Sequence, residues 1–416
     1  MSLRRQLLAC LLCSICFMAT PVFSIAATHA QINNAISTGL SYLASQQQAG
    51  GYWNYGGYEV SATASAVLAM IEQGNSESSG LYKNNVKSGL QYIFNTAQFD
   101  SVNKRVWWGP EDTYQTGLAL STIASTQTPN AIVGSGPLAG LTYKQVAENV
   151  VKYFAEGQNS PTNNGVSNIW RGGWHYGFRA GDSDNSTSQW PVVGLIFAQT
   201  KMGIPVPASV PTELSYWTSY IQDLSGTPAT NPSHGSSGYQ APQFSYNDVS
   251  KTGGLLLEFY LEGKTKNDPV VQAATDFINR NWISGGTLAG APWDGNFGQP
   301  YAMWSIYKGL QVIYGLEDNT AITNLHAPGV LDPGTTWNWY QDYADWLVKN
   351  QNADGSWNGY SYWTGALADG WNINMLLATQ IAPPQPSVPE PATVALMGVG
   401  LAGLFVIHRR KRDEKK

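Results

Sequence analysis

The sequence predicts an all-α fold, a single (α/α)6 toroid of six helix-pair repeats set between two terminal sorting segments. Three observations predict it. Apolar residues recur at helical spacing in stretches that pair off along the chain. The spacing Gln-x3-Gly-x-Trp occurs at Gln351-Asn352-Ala353-Asp354-Gly355-Ser356-Trp357 and again near the other end at Gln47-Gln48-Ala49-Gly50-Gly51-Tyr52-Trp53, each copy lying between two helical stretches. The second stretch of a pair is apolar nearly all round, as at 192–198, 255–260 and 306–314, which an inner ring wrapped by an outer one requires.

Each element follows from its residues. In the first pair, helix A carries Ile32, Ile36, Leu40 and Leu43, and helix B carries Val60, Ala64, Val67, Leu68 and Ile71. The second pair spans 86–95 and 112–125, joined across Val106-Trp107-Trp108-Gly109-Pro110. The third spans 143–156 and 184–201, with a long connection holding Trp170, Trp174 and His175. The fourth spans 211–224 and 248–261, the fifth 269–282 and 299–314 around Trp293-Asp294-Gly295, and the sixth 339–349 and 364–379. In the recurring turn, Gly supplies the backbone freedom for reversal, Gln bonds orphan carbonyls at the helix end, and the indole wedges between neighbouring pairs. If the inner helices point their N-termini to one mouth, Trp53, Trp108, Trp174, Tyr246, Trp293 and Trp357 gather at that end. Glu59, Asp112, Asp184, Asp248 and Asp294 then form a carboxylate rim that offsets the helix dipoles.

Composition narrows the function. The 416 residues are 43% hydrophobic, 12% charged and 12% aromatic, with 16 Trp and 22 Tyr, which suits a large core and apolar or sugar-like contacts. A net charge of −5 points away from nucleic acid. All three cysteines, Cys10, Cys13 and Cys16, lie at the start, so the body offers no disulfide and no thiolate metal site.

The two ends read as sorting segments. Arg4 and Arg5, the apolar run 7–19 and the small residues of 24–30 form a secretory signal, cut after Ala26 or Ala30 and taken as residues 1–30. The toroid then occupies 31–381. In 382–416, a Pro-rich linker leads to Val388-Pro389-Glu390-Pro391, the apolar run 392–407 and Arg409-Arg410-Lys411-Arg412. This order closely resembles the PEP-CTERM sorting signal of bacterial envelope proteins. The resemblance implies an exosortase-type processing enzyme as partner, an inner-membrane span before processing, and final residence at the cell surface or in the extracellular matrix. A permanent C-terminal anchor is the alternative.

The helix pairs and the Gln-x3-Gly-x-Trp turns are similar to those of the squalene-hopene cyclase and protein prenyltransferase superfamily of α/α toroids. In the cyclases an Asp-x-Asp-Asp segment at the mouth of the inner ring supplies a protonated carboxylic acid. Asp182-Ser183-Asp184-Asn185 resembles it with the last acid replaced by an amide, so the resemblance implies Asp184 as acid, oriented by Asn185; Asp182 and His175 are further candidate catalytic residues close by in sequence. Asp184 before Asn-Ser-Thr-Ser-Gln also reads simply as a helix cap. The prenyltransferase branch binds zinc through Asp, Cys and His. With no cysteine in the body and His175, His234 and His326 lacking ligand spacing, no metal and no cofactor is expected.

A third chemistry stays open, because α/α toroids also host polysaccharide lyases and glycosidases. Arg171, His175, Tyr176 and Arg179 lie close to Asp182 and Asp184 in sequence, and Trp107, Trp108, Trp174 and Trp293 are candidates to stack on sugar rings; each Trp reads more readily as a turn wedge in the repeat. The expectation is a surface-sorted protein binding an envelope or matrix component, a polysaccharide or an isoprenoid. Its candidate ligand residues are Trp174, Tyr176, Arg179, Trp108 and Trp293. Cyclase-like acid catalysis by Asp184 and glycan cleavage are the alternatives.

Overall fold

The computed structural model describes residues 26–110, 112–242, 248–284 and 295–380. Trp293, Asp294, Tyr246, the apolar run of the leader and the whole sorting tail lie outside the described residues. Twelve helices and one hairpin make up the regular structure of the described residues. They are α1 (His29–Gln46), α2 (Glu59–Glu72), α3 (Lys83–Thr96), β1 (Gln98–Asp100), β2 (Arg105–Trp107), α4 (Asp112–Ser125), α5 (Tyr143–Gly157), α6 (Asn185–Met202), α7 (Ser209–Ile221), α8 (Val249–Leu261), α9 (Pro269–Arg280), α10 (Pro300–Tyr314), α11 (Trp339–Lys349) and α12 (Gly365–Leu376). None is long and apolar enough to cross a membrane.

Local chemistry sets the ends. Capping boxes start α1 (Thr28 with Gln31) and α5 (Thr142 with Gln145). Asp184, Asp248, Gln299 and Asn338 cap α6, α8, α10 and α11 with their side chains. Gly203, at φ 67°, ends α6 in the left-handed conformation. The folded body also begins earlier than the boundary at residue 30. Ala26 N donates to Val330 O at 3.2 Å and Ala27 N to Asp345 Oδ1 at 2.9 Å, so residues 26–30 belong to it.

The even-numbered helices are buried almost all round, and the odd-numbered ones on one face only. α2 packs on α4, α4 on α6, α6 on α8, α8 on α10, α10 on α12, and α12 returns to α2, which closes an inner ring. Outside it, α1 lies against α12 and α2, α3 against α2, α5 against α4 and α6, α7 and α9 against α8, and α11 against α12 and α1. Alternate ring contacts are glycine-lined. A Cβ on Gly117 of α4 would lie 2.4 Å from Trp190 O of α6, one on Gly253 of α8 2.5 Å from Ile306 N of α10, and one on Gly370 of α12 2.4 Å from Ser65 Oγ of α2. Those three pairs therefore meet backbone to backbone.

A clamp of one kind spans four of the six junctions between helix pairs. Gln47, Gln158, Gln222 and Gln351 donate Nε2–H to the carbonyls of Gly51, Gly172, Gly235 and Gly355 at 2.8–3.2 Å. Each also donates to a carbonyl of the following outer helix: Asn85 in α3, Val210 in α7, Val270 in α9 and Ala35 in α1, at 2.8–3.1 Å. The glutamine thus bonds the next repeat and the turn rather than the end of its own helix. The four glycines hold φ between 88° and 96°. A Cβ on any of them would come within 2.0–2.4 Å of a carbonyl oxygen of that next helix, so only glycine fits. Gln351 and Gly355 act on α1 and so fasten the last repeat to the first.

The turn tryptophans complete the clamp from inside. Trp53, Trp108, Trp174 and Trp357 donate Nε1–H to Leu43, Ile93, Phe154 and Leu347 of their own outer helices at 2.7–3.0 Å. The backbone N–H of the same residues donates to Thr63, Thr116, Ser188 and Asp369 of the paired inner helix; Ser237 does the same to Thr252 in the fourth repeat. Asp369 is the exception among hydroxyls. Burial pushes its carboxyl up to about 7, against the bond from Trp357 and with a further push from Asp354.

Because folding raises this pKa, the native state holds the proton more tightly than the unfolded chain. Its contribution to stability is present below about pH 4 and is lost as pH rises through about 7. Asp369→Thr restores the hydroxyl used by the other repeats. Its Tm at pH 8 is expected to exceed that of the parent by about 2 °C or more, with a flatter Tm profile between pH 5 and 8. A fall of equal size at both pH values would count against this reading.

Candidate functional site at the ring mouth

Bonds between repeats, neighbouring and across the ring, bring N-terminal ends of inner helices together. Thr113 of α4 donates its hydroxyl to His175 O at 2.6 Å, and Asn185 N of α6 donates to Tyr239 O at 2.8 Å. Tyr301 of α10 donates its hydroxyl to Ser186 O at 3.2 Å and stacks on Trp363, just before α12, at 4.6 Å. Tyr55, before α2, donates to Tyr362 O. Of the expected rim carboxylates, Glu59 and Asp112 open α2 and α4, and Asp184 and Asp248 cap α6 and α8; Asp294 lies outside the described residues. Capping accounts for Asp248, whose second oxygen is taken by Lys251 at 2.5 Å.

Asp184 does more than cap. Its Oδ1 accepts from Thr187 N and Ser186 Oγ, both at 2.7 Å, and its Oδ2 from Thr187 Oγ1 at 2.7 Å. His175 Nε2 lies 3.2 Å from the same Oδ2, while Nδ1 lies 3.3 Å from Asp182 Oδ1. The imidazole therefore sits between two carboxyl groups, one wholly buried and one 41% exposed. Burial pushes the Asp184 carboxyl up, opposed by the hydrogen bonds of Ser186 and Thr187 and by His175.

Aromatic rings surround this trio. Tyr176 lies against His175 at 4.4 Å, stacks on Tyr114 at 5.8 Å and shares a 2.7 Å hydroxyl contact with Tyr239. Tyr114 OH meets Ser186 Oγ at 3.0 Å. Beneath them the ring is filled. Trp190 of α6 stacks on Trp371 of α12, from opposite sides of the ring, at 5.5 Å, and Trp371 continues onto Trp304 of α10 at 6.5 Å. Gln189 bonds Tyr301 OH at 2.6 Å and Ser305 Oγ at 2.7 Å across the same layer. Lys308 Nζ lies 4.5 Å from the Trp190 ring and 5.5 Å from Trp304. It is wholly buried without a hydrogen-bond partner, and burial pulls its amine well down.

The expected site residues separate into two groups. Asp182, Asp184, His175 and Tyr176 come together at the mouth. Trp108 and Trp174 do not reach it, because both indoles are buried in the turn clamp. Arg179 is exposed at φ 57° and turns away, donating Nε–H to Glu156 O at 2.9 Å. Arg171 forms a two-pronged pair with Glu213 at 2.7 and 2.9 Å. Neither arginine is thus placed to neutralise a uronate beside the carboxyl pair. Among the described residues no group of three His, Cys, Asp or Glu could hold a metal ion. Of the mouth residues that were not foreseen, Tyr114, Ser186 and Tyr301 stand in the first turn of an inner helix, a position that could have found them, while Tyr55, Tyr239 and Trp363 lie before one.

A PEP-CTERM protein-sorting motif matches residues 387–411. The chain is therefore a precursor processed by an exosortase, membrane-anchored beforehand and sorted to the cell surface or extracellular matrix. No curated protein matches it. Three solved structures are similar over most of their length. One is the type II terpene cyclase MstE from Scytonema with geranylgeranyl dihydroxybenzoate, at 11% identity, 84% of this chain, 97% of that one and TM-score 0.46. Another is an inactive variant of an alpha-1,6-mannanase of Salegentibacter with alpha-1,6-mannotriose, at 11% identity, 84% and 99%, TM-score 0.49. The third is cellobiose 2-epimerase from Bacillus thermoamylovorans, at 10% identity, 84% and 98%, TM-score 0.48. At such scores and identities none transfers a fold or a chemistry to this chain.

The Asp184 contacts set a clear expectation. Asp184→Ala leaves Thr187 N and the hydroxyls of Ser186 and Thr187 without their acceptor, and should cost roughly 2–4 kcal/mol of stability. Asp184→Asn keeps the cap and should cost about 1 kcal/mol or less. Chemical denaturation of both variants checks this, and equal losses would contradict a capping role.

Proposed function

We propose that the protein is a surface-displayed toroid that binds a neutral glycan of the envelope or matrix across its mouth. The observation that carries this reading is the layering of the ring. Tyrosine and tryptophan faces surround the His175 trio, and the indoles of Trp190, Trp371 and Trp304 fill the space directly beneath. A sugar chain needs a shallow platform of aromatic faces with polar groups at its edge, and an aromatic mouth above a filled ring offers that. A polyprenyl chain needs a deep apolar cavity, which the indole layer opposes. The exposed face of Asp182 repels a uronate, so the glycan is neutral or cationic.

Acid–base turnover of the glycan is a second reading, favoured by one observation, the placement of His175 between Asp182 and Asp184. Cyclisation started by Asp184 finds less support, since both of its oxygens are bonded within the wall of the ring.

Binding is testable by calorimetry with two probes, neutral polysaccharide purified from the producer's own matrix and a uronate polymer as comparison. Tyr176→Ala and Trp363→Ala should each weaken neutral-glycan binding about 3–10-fold, with Tm little changed. Preference for the uronate, or affinity indifferent to both substitutions, would overturn the proposal. Release of new reducing ends by the parent but not by Asp184→Asn would establish the second reading.

A further inference from the structure

The residues that join the leader to the ring distinguish its two candidate cleavage sites. Both fit the small-residue rule: Ser24 and Ala26 precede the bond to Ala27, and Thr28 and Ala30 precede the bond to Gln31. A cut after Ala30 removes Thr28, whose side chain caps α1 in a capping box, together with the first two residues of the helix. It also removes the bond from His29 N to Asp332 Oδ2 at 3.1 Å. A cut after Ala26 leaves all of these in place. It forfeits one backbone bond, from Ala26 N to Val330 O.

That second cut also creates a group for which the fold already has a partner. Ala27 N lies 2.9 Å from Asp345 Oδ1. In the uncut chain it is an amide. Hydrolysis of the Ala26–Ala27 bond places the water oxygen on the Ala26 carbonyl carbon, breaks the C–N bond and leaves the nitrogen of Ala27 as an ammonium. The ammonium then faces Asp345, a carboxylate of α11 that also holds Lys349 at 2.8 Å. A positive charge at the start of a helix is unfavourable, and α1 has no acidic residue of its own in its first turn. Asp345 and Asp332, both from the last repeat, supply that negative charge. We propose that signal peptidase cuts between Ala26 and Ala27, and that the new amino terminus is seated on Asp345, adding an ion pair to the seam between the last repeat and the first.

The order of events is compatible with burial of this segment. A signal peptidase acts on the translocating chain before it folds, while in the folded protein Ala26 is 4% exposed and the bond is out of reach. The reading is independent of what the mouth binds.

Intact mass and N-terminal sequencing of the protein secreted from its full precursor should give a chain beginning at Ala27. A start at Gln31, or retention of any residue before Ala27, overturns the cleavage site. The seating of the amino terminus is tested by a thermal double cycle. Asp345→Asn is compared in the chain that begins at Ala27 and in one that keeps Ile25 and Ala26 ahead of it, so that the Lys349 contact is lost equally in both. The substitution should lower Tm by about 2 °C more in the chain beginning at Ala27. Equal losses in the two chains overturn the ion pair.

Discussion

The ring depends on a glycine that can carry no side chain. At Gly51, Gly172, Gly235 and Gly355 the turn lies directly on the backbone of the next outer helix, and a glutamine amide spans the same junction. Each clamp joins a pair to its successor, and the fourth joins the end of the chain to its beginning. A ladder of helix pairs leaves its first and last apolar faces uncovered, and closing it into a ring covers both. The closure is polar and stereospecific rather than merely apolar, so it sets which helices meet.

From that closure the mouth follows. Four of the six inner helices start just after a clamp, and bonds between repeats bring the starts that carry Asp112, Asp184, Tyr301 and Trp363 together, so positive helix ends meet caps and acids. The chemistry at Asp184 grows out of a structural need. A cap was required there, and the long connection of the third repeat folded His175 and Asp182 onto it. A buried acid, a half-exposed acid and an imidazole between them are more than α6 needs for its start. The stacked indoles below give the mouth its floor.

Much of this was legible in the chain. The apolar spacing located all twelve helices to within a few residues, because one-sided outer helices and all-apolar inner ones leave different patterns. Two clamps were visible at Gln47 and Gln351. The other two were hidden by physical variation: residues 159–171 intervene between Gln158 and Gly172, and Ser237 stands where a tryptophan does elsewhere. Trp108 and Trp174 read both as turn wedges and as candidate ligand residues, since spacing gives a residue's place in the repeat and not the side its ring faces; their indoles are buried in the turns. The pairing of α6 with α12 across the ring, and of Tyr301 with Ser186, joins residues far apart in sequence that only ring closure brings together.

The most direct test of closure is amide hydrogen exchange on Gly355→Ala. The added Cβ would lie 2.4 Å from Thr38 O at a φ of 94°, so the seam must open without a change of charge or apolar area elsewhere. Protection in α1 and α12 should then fall well below that of α6, where the parent protects all three alike. Unchanged protection in α1 and α12 would contradict the account, and the ring would have to be held by apolar packing alone.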